Sequence, residues 1–314
     1  MGEDWAEGAQ TSQGGVKQEG TSSIERRHAK IASQTSQGKT KQEGDIQGGD
    51  RQDEIFQGGG KPRPYNTRNT DISLQPFLKG LSQLGLELTE QQLEQFLCYR
   101  QELLDWNKRI NFTAITDPEE ILIKHFLDSL SLLLVYGKPQ THLLDIGSGA
   151  GFPGLPLKIV YPQWQVTLIE ATNKKVLFLR HAIDTLKLDD VVAVHGRAEE
   201  LAHQRQYRAR FDIVTARAVA SLPSLLEYCA PFCRTGGFTI LPKKGDLEEE
   251  LAQGKRAARQ AGAVLKDDVA VRLPGLDDGR RLLVWEQVKK CPAQFPRIGS
   301  VMAKKPLGKT SINE

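Results

Sequence analysis

Three features of this 314-residue sequence predict an α/β fold: a doubly wound, mostly parallel sheet with a C-terminal antiparallel hairpin and an N-terminal helical cap. Short apolar runs alternate with amphipathic stretches through residues 142–241, the pattern of a parallel sheet covered by helices on both faces. The first run leads into "LLDIGSGAGFPG" (143–154), four glycines in twelve residues, at the place where such sheets bind ligands. The last two strand candidates, "AVLKDDVAVRLP" and "RRLLVWEQV", are joined by "GLDDGR", a turn-rich link suited to a hairpin.

Four stretches follow along the chain. Residues 1–64 read as a disordered, repeat-containing tail. The first sixty hold twelve Gly, nine Gln and no Leu, too little apolar surface to offset the entropy of ordering. "TSQGGVKQEG" (11–20) returns as "TSQGKTKQEG" (35–44), a duplication with almost nothing to stack as a solenoid would. The tail lacks a signal peptide's apolar core and is not the Arg-rich, acid-poor type of transit peptide.

Residues 65–137 read as the helical cap. A short helix covers 73–84. A longer one over 89–109 starts on a Thr89–Gln92 capping box, with Leu93, Phe96, Leu97, Leu103 and Leu104 at helical spacing. A third over 117–134 has Asp117 as cap, Pro118 at the first helical position and Glu120 closing the box. Its apolar stretch "LSLLLVY" (130–136) is far too short to cross a bilayer. The expectation is a soluble, cytoplasmic protein.

Residues 138–290 read as the core. Strands are expected at 142–146, 165–170, 190–195, 211–215 and 237–241, with helices near 153–160, 174–187, 198–203, 221–232 and 246–261. Residues 291–314 read as a basic tail. From Gln287 onward, Lys289, Lys290, Arg297, Lys304, Lys305 and Lys309 stand against the single acid Glu314, which hints at an anionic partner. Cys98, Cys229, Cys233 and Cys291 form neither a CxxC pair nor a zinc-ligand spacing. They read as reduced, buried thiols, with no metal, and Cys229 and Cys233 as one helical turn apart.

The glycine run admits two cofactors. Gly149-Ala-Gly-Phe-Pro-Gly154 matches the dinucleotide fingerprint, and the string from Asp145 matches Asp-x-Gly-x-Gly-x-Gly, which resembles the first motif of S-adenosylmethionine (SAM)-dependent methyltransferases. Pro153 and Pro156 remove N–H donors where a diphosphate would need a helix N-terminus. Asp145 repels a diphosphate and suits a ligand carrying an ammonium and a sulfonium. Gly147, Gly149 and Gly151 let the backbone approach that ligand closely. Glu170, ending the second strand, is either an acceptor for ribose hydroxyls, which NAD would use equally, or a plain strand-end acid.

Six blocks then resemble one family in order: "WNKRINFTAITDPEEILIKHFLDSL", "LLDIGSGAGFPGLPL", "LIEATNKKVLFLR", "GRAEEL", "FDIVTARAVASL" and "FPRIGSVMAKKPLG". They look like the bacterial 16S ribosomal RNA guanine-N7 methyltransferases, over about Ser73 to Gly308. The resemblance implies a Rossmann-like methyltransferase fold, SAM as cofactor, and 16S rRNA or the small ribosomal subunit as partner of a monomer. It places cofactor contacts on Gly147, Phe152, Glu170, Ala171, Thr172, Ala198, Glu199 and Arg217. One departure is visible: Gly299-Ser300-Val301-Met302 lacks the proline usual between the block's arginine and its lysines.

Guanine N7 carries an in-plane lone pair and no proton, so its methylation needs no general base. Where amine methyltransferases place an Asn-Pro-Pro-Tyr type motif, this chain has Thr215-Ala216-Arg217-Ala218. Neither Cys229 nor Cys233 sits in a Pro-Cys context. Catalysis is then expected to rest on alignment and exclusion of water, with Arg217 the candidate catalytic side chain or a strand-end ion-pair partner. Lys243, Lys244, Arg297, Lys304 and Lys305 are the expected RNA contacts. His125, Asp128 and Ser129 share a helical face that packs, braces the glycine loop or touches RNA; Asn107, Lys108 and Asn111 either cap or bind. The rivals are a nicotinamide-dependent oxidoreductase and a non-catalytic rRNA-binding assembly factor.

Overall fold

The structure, a computed structural model, describes residues 72–217 and 220–308; the expected tail of residues 1–64, Ala218 and Lys309 lie outside them. The strands are β1 (His142–Ile146), β2 (Gln165–Glu170), β3 (Val191–His195), β4 (Phe211–Ala216), β5 (Cys233–Lys244), β6 (Ala263–Ala270) and β7 (Arg280–Gln287). They form one seven-stranded sheet in the order β3-β2-β1-β4-β5-β7-β6. The first five run parallel, and β7 enters antiparallel between β5 and β6. The expected doubly wound sheet with a terminal antiparallel pair is what the chain adopts. β1 is buried from Leu143 onward because helices cover both faces, which is why it reads as an unbroken apolar run rather than an alternating one. It lies between β2 and β4, so the chain changes direction across the sheet there and leaves a crevice at the strand ends.

The helices are α1 (Gln75–Gln83), α2 (Glu90–Ile110), α3 (118–134), α4 (Gly154–Val160), α5 (Asn173–Thr185), α6 (Ala198–Leu201), α7 (Leu222–Cys229), α8 (Glu248–Ala261) and α9 (Gly299–Lys304). The capping box of α2 forms as spaced: Thr89 Oγ1 accepts from the Gln92 N–H at 3.2 Å, and Gln92 Oε1 accepts from the Thr89 N–H at 3.0 Å. At the other end Asn111 takes the left-handed conformation with φ 54°, and Asn107 exchanges two hydrogen bonds with the Thr113 backbone. Those asparagines cap, and Lys108 pairs with Asp105 on the surface. α3 is not a uniform helix. Its Leu122–Leu127 segment is wound as a π-turn and Ser131–Leu134 as a 3-10 turn, deviations that a periodicity argument does not detect.

Two apolar clusters flank the sheet. The first joins the cap to one face: Phe77, Phe96, Tyr99 and Phe126 pack with Leu155, Leu168 and Phe178. Each such buried side chain stabilises by about 1.5–3 kcal/mol, so cap and sheet share one core. The second cluster lies under α7 and α8 and includes Phe232, Trp285, Phe295 and Leu307. Residues 291–308, expected as a tail, are therefore packed. Arg208 holds them there, donating to the carbonyls of Pro292 and Phe295 at 2.8 Å each. Cys229, Cys233 and Cys291 are buried and free, and Cys98 is half-buried. Cys229 closes α7 whereas Cys233 opens β5, so the two are not on one helix. Among the described residues no helix is long and apolar enough to cross a membrane.

Candidate active site at the carboxyl edge of the sheet

A cavity of about 840 Å³ opens at the ends of β1, β2, β4 and β5, within the size range of small-molecule sites. One end is backbone. Gly147 and Gly149 line it with φ of +68° and +59°, a region that side chains other than glycine's rarely adopt. The bend is tied to β2: the N–H groups of Gly147 and Ser148 donate to the Ile169 carbonyl at 2.8 and 3.2 Å. A Cβ at Gly149 would have nothing nearer than the Gly147 carbonyl oxygen, 3.9 Å away, so the backbone there faces open space. Glu170 is buried at the cavity wall, accepting from the Thr172 N–H at 2.8 Å and the Gly149 N–H at 3.1 Å. Each carboxylate oxygen keeps a second lone pair, which suits a diol such as the hydroxyls of a ribose. Phe152, Ala171, Ala198 and Glu199 also line this end. α9 abuts it: a Cβ on Gly299 would come within 3.0 Å of Glu199 Oε1 and 3.5 Å of Tyr228 Oη.

Three residues expected to touch a cofactor are placed elsewhere. Asp145 lies wholly buried beneath the bend rather than on the cavity wall, its Oδ2 accepting from the Gly154 N–H at 3.0 Å. Burial, chiefly, pushes its carboxyl up to about 8, against the opposing pull of the Gly154 N–H and Arg217. It therefore shapes the loop and takes the N–H that opens α4, leaving that N–H unable to hold a diphosphate. Gly151 is internal too: a Cβ there would fall 2.5 Å from Leu155 Cδ1 and 2.7 Å from Tyr99 Oη, with φ +94° besides. Tyr99 closes this packing by donating to the Ala150 carbonyl. Thr172 is exposed and contributes its N–H to Glu170, not to the cavity wall.

The other end of the cavity is built from charged side chains. Asp128, from α3, bridges two guanidiniums: Oδ2 lies 2.8 Å from Arg217 Nη1 and Oδ1 lies 2.5 Å from Arg280 Nη1. Arg217 Nη2 also reaches His125 Nδ1 at 3.3 Å, and His125 Nε2 meets Thr113 Oγ1 at 2.9 Å. The imidazole stacks on Phe152 at 4.7 Å and 13°, and the Arg217 guanidinium lies 5.0 Å from that ring's centroid. Burial first, and then the charges of Arg217 and Arg280, push His125 down to about 3. Ser129 turns inward, donating to the His125 carbonyl at 2.5 Å. Of the three groups sharing that face, His125 and Asp128 line the cavity.

The expected RNA contacts separate in the same way. Lys244 lines the cavity and is well exposed, and Lys304 and Lys305 are exposed at the end of α9. Lys243 lines the cavity, but its ammonium is spent on Glu250 at 2.8 Å. Arg297, expected as an RNA contact, is engaged within the protein instead. It forks onto Glu227, with Nε–Oε1 and Nη2–Oε2 both 2.7 Å, and Glu227 is fully buried. A buried carboxylate needs a paired cation, and Arg297 supplies it.

The family described as rRNA small subunit methyltransferase G matches residues 92–273, more than half of the chain. The chain belongs to this family. A ribosomal RNA small subunit methyltransferase G from Dehalococcoides mccartyi (strain CBDB1) is 49% identical over 228 residues, covering 73% of this chain and 97% of the relative. One from Lachnoclostridium phytofermentans is 46% identical over 232 residues, covering 74% of this chain and 96% of the relative. Sequence reasoning missed Tyr99, which closes the glycine bend, and Arg280, which completes the charged end. A tyrosine inside a helical stripe gives no signal of its own. Arg280 stands at the start of a strand, whereas ligand residues in such sheets are sought where strands finish.

Proposed function

We propose that this SAM-dependent rRNA methyltransferase transfers a methyl group to N7 of a guanine in 16S ribosomal RNA, in line and without a general base. The observation that carries the reading is a single cavity with two ends: bare glycine backbone beside Glu170, and an Asp128–Arg217–Arg280 cluster facing it. In this reading Gly147, Gly149, Phe152, Glu170, Ala171, Ala198 and Glu199 hold the cofactor. Asp145, Gly151 and Thr172 shape the loop around it.

When bound, SAM supplies an electrophilic methyl on a sulfonium. His125, the histidine lining the cavity, has both ring nitrogens engaged and stays neutral far below neutral pH, which makes it a poor proton acceptor. Such a site suits a nucleophile with no proton to lose. Phe152, buried and packed against both His125 and Arg217, helps to exclude water from the junction of the two ends. Lys244, Lys304 and Lys305 attract the RNA backbone. The protein acts as a monomer in the cytoplasm, without a metal.

The test is incubation with radiolabelled SAM and either naked 16S rRNA or small subunits, followed by borohydride reduction and aniline cleavage. Label that travels with a cleavable site supports N7-methylguanosine. Label at a site that resists cleavage overturns the choice of N7, and no incorporation overturns the activity.

A further inference from the structure

We infer that Arg280 is a phosphate-binding residue for the RNA strand, held in position by Asp128. This rests on the rRNA reading above and names a contact within that site. β7 runs antiparallel to β5, with Arg280 opposite Lys244, so the amino end of β7 arrives at the rim formed by the carboxyl ends of the parallel strands. Asp128, whose side chain is 5% exposed, faces both Arg217 and Arg280, each 19% exposed.

The two guanidiniums differ in what they have left to give. Arg217 is committed to Asp128, His125 and the face of Phe152. Arg280 gives Nε to Asp278 at 2.8 Å and Nη1 to Asp128, while Nη2 has no acceptor among the described residues. Charge points the same way. Arg217, Arg280 and Lys244 face Asp128 and Asp278, which leaves one positive charge uncompensated. Asp278 is the more exposed of the two acids and is shared with Lys244 at 3.5 Å. A guanidinium fork matches a phosphodiester, which brings one negative charge and two oxygens. The neutral O6 of a guanine would accept the hydrogen bond and leave the charge unanswered. Asp128 is a positioning residue here, since it reaches the RNA only through the arginines.

Salt dependence separates these cases. Each phosphate contact releases counterions, steepening the fall of log K against log salt by about 0.7–0.9. Binding of 16S rRNA lacking the methylation is measured across a salt series for wild type, Arg280→Ala and Arg280→Lys, with SAM affinity by calorimetry as the control. Arg280→Ala is expected to weaken RNA binding about tenfold and to lower the slope by about 0.7–0.9. SAM affinity is expected to hold, and Arg280→Lys to restore the slope. Weakened binding with an unchanged slope, or no weakening, overturns the phosphate contact. Should Arg280→Ala lose SAM affinity through misfolding, Arg280→Gln, which keeps the stem and drops the charge, decides by the same slope. A wild-type protein that neither binds nor methylates this RNA defeats the rRNA reading itself. Binding and methylation by wild type with no slope change in the variant defeats only the role of Arg280.

Discussion

The two ends of the cavity solve opposite problems with opposite materials. The glycine end presents peptide groups that stay fixed by hydrogen bonds to β2 and by the buried Asp145 below. The bend itself depends little on flexible side chains, so its shape is set by the backbone. The arginine end draws residues from α3, from just beyond β4 and from the start of β7 into one charged cluster whose geometry lasts only while every partner is present. Precision comes from backbone in the first case and from mutual charge neutralisation in the second.

That contrast can be broken by substitution. The largest loss is expected outside both ends, at the arginine that a charge tally would have assigned to RNA. Arg297→Ala strands the buried Glu227 and should lower the unfolding free energy by about 3–5 kcal/mol, read by urea denaturation; a change under about 1 kcal/mol would return Arg297 to the RNA surface. Next is Asp128→Ala, which sets two half-buried guanidiniums against each other at a cost of about 2–3 kcal/mol. Methyl transfer should fall with SAM affinity by calorimetry nearly unchanged, and a parallel loss of SAM affinity would show that the two ends cannot be separated.

Gly149→Ala inverts the test. Holding a Cβ at φ +59° costs about 1–2 kcal/mol, and the methyl intrudes on the open side of the bend. SAM affinity should drop at least severalfold while RNA binding persists. The smallest effect belongs to His125. Its pKa falls on folding from 6.5 to about 3, so its contribution to stability is present above about 6.5 and is lost as pH falls towards 3. Near neutral pH the loss is only beginning. Urea midpoints of wild type should fall between about pH 7 and about pH 5 more than those of His125→Gln; equal falls would mean that the imidazole is not held neutral.

The fold was legible wherever a signal is local. The expected strands over 142–146 and 165–170 coincide with β1 and β2, because each is a short apolar run bounded by turn residues. β5 was expected at 237–241 and spans Cys233–Lys244. Its opening Arg-Thr-Gly-Gly reads as a turn, yet a Cβ on Gly237 would meet the Asp212 carbonyl oxygen at 2.9 Å, a close strand approach that only glycine permits. The site divides along the same line. The glycine bend lies within eight residues of β1, so spacing alone exposes it. Asp128, Arg217 and Arg280 meet across 152 positions of chain, and nothing local announces that meeting. Net charge counts the Arg297 guanidinium without seeing a carboxylate buried 70 positions earlier.

The inward placement of β7 bears on how the molecule is assembled. β6 pairs with β7 alone and β7 with both its neighbours, so β6 has no template until the chain has been made through Gln287. β6 and β7, residues 263–287, therefore join the sheet together, on the edge that β5 offers once it has paired with β4. The glycine bend and Glu170 are set by β1 and β2, whereas Arg280 reaches the charged end only once β7 has paired with β5.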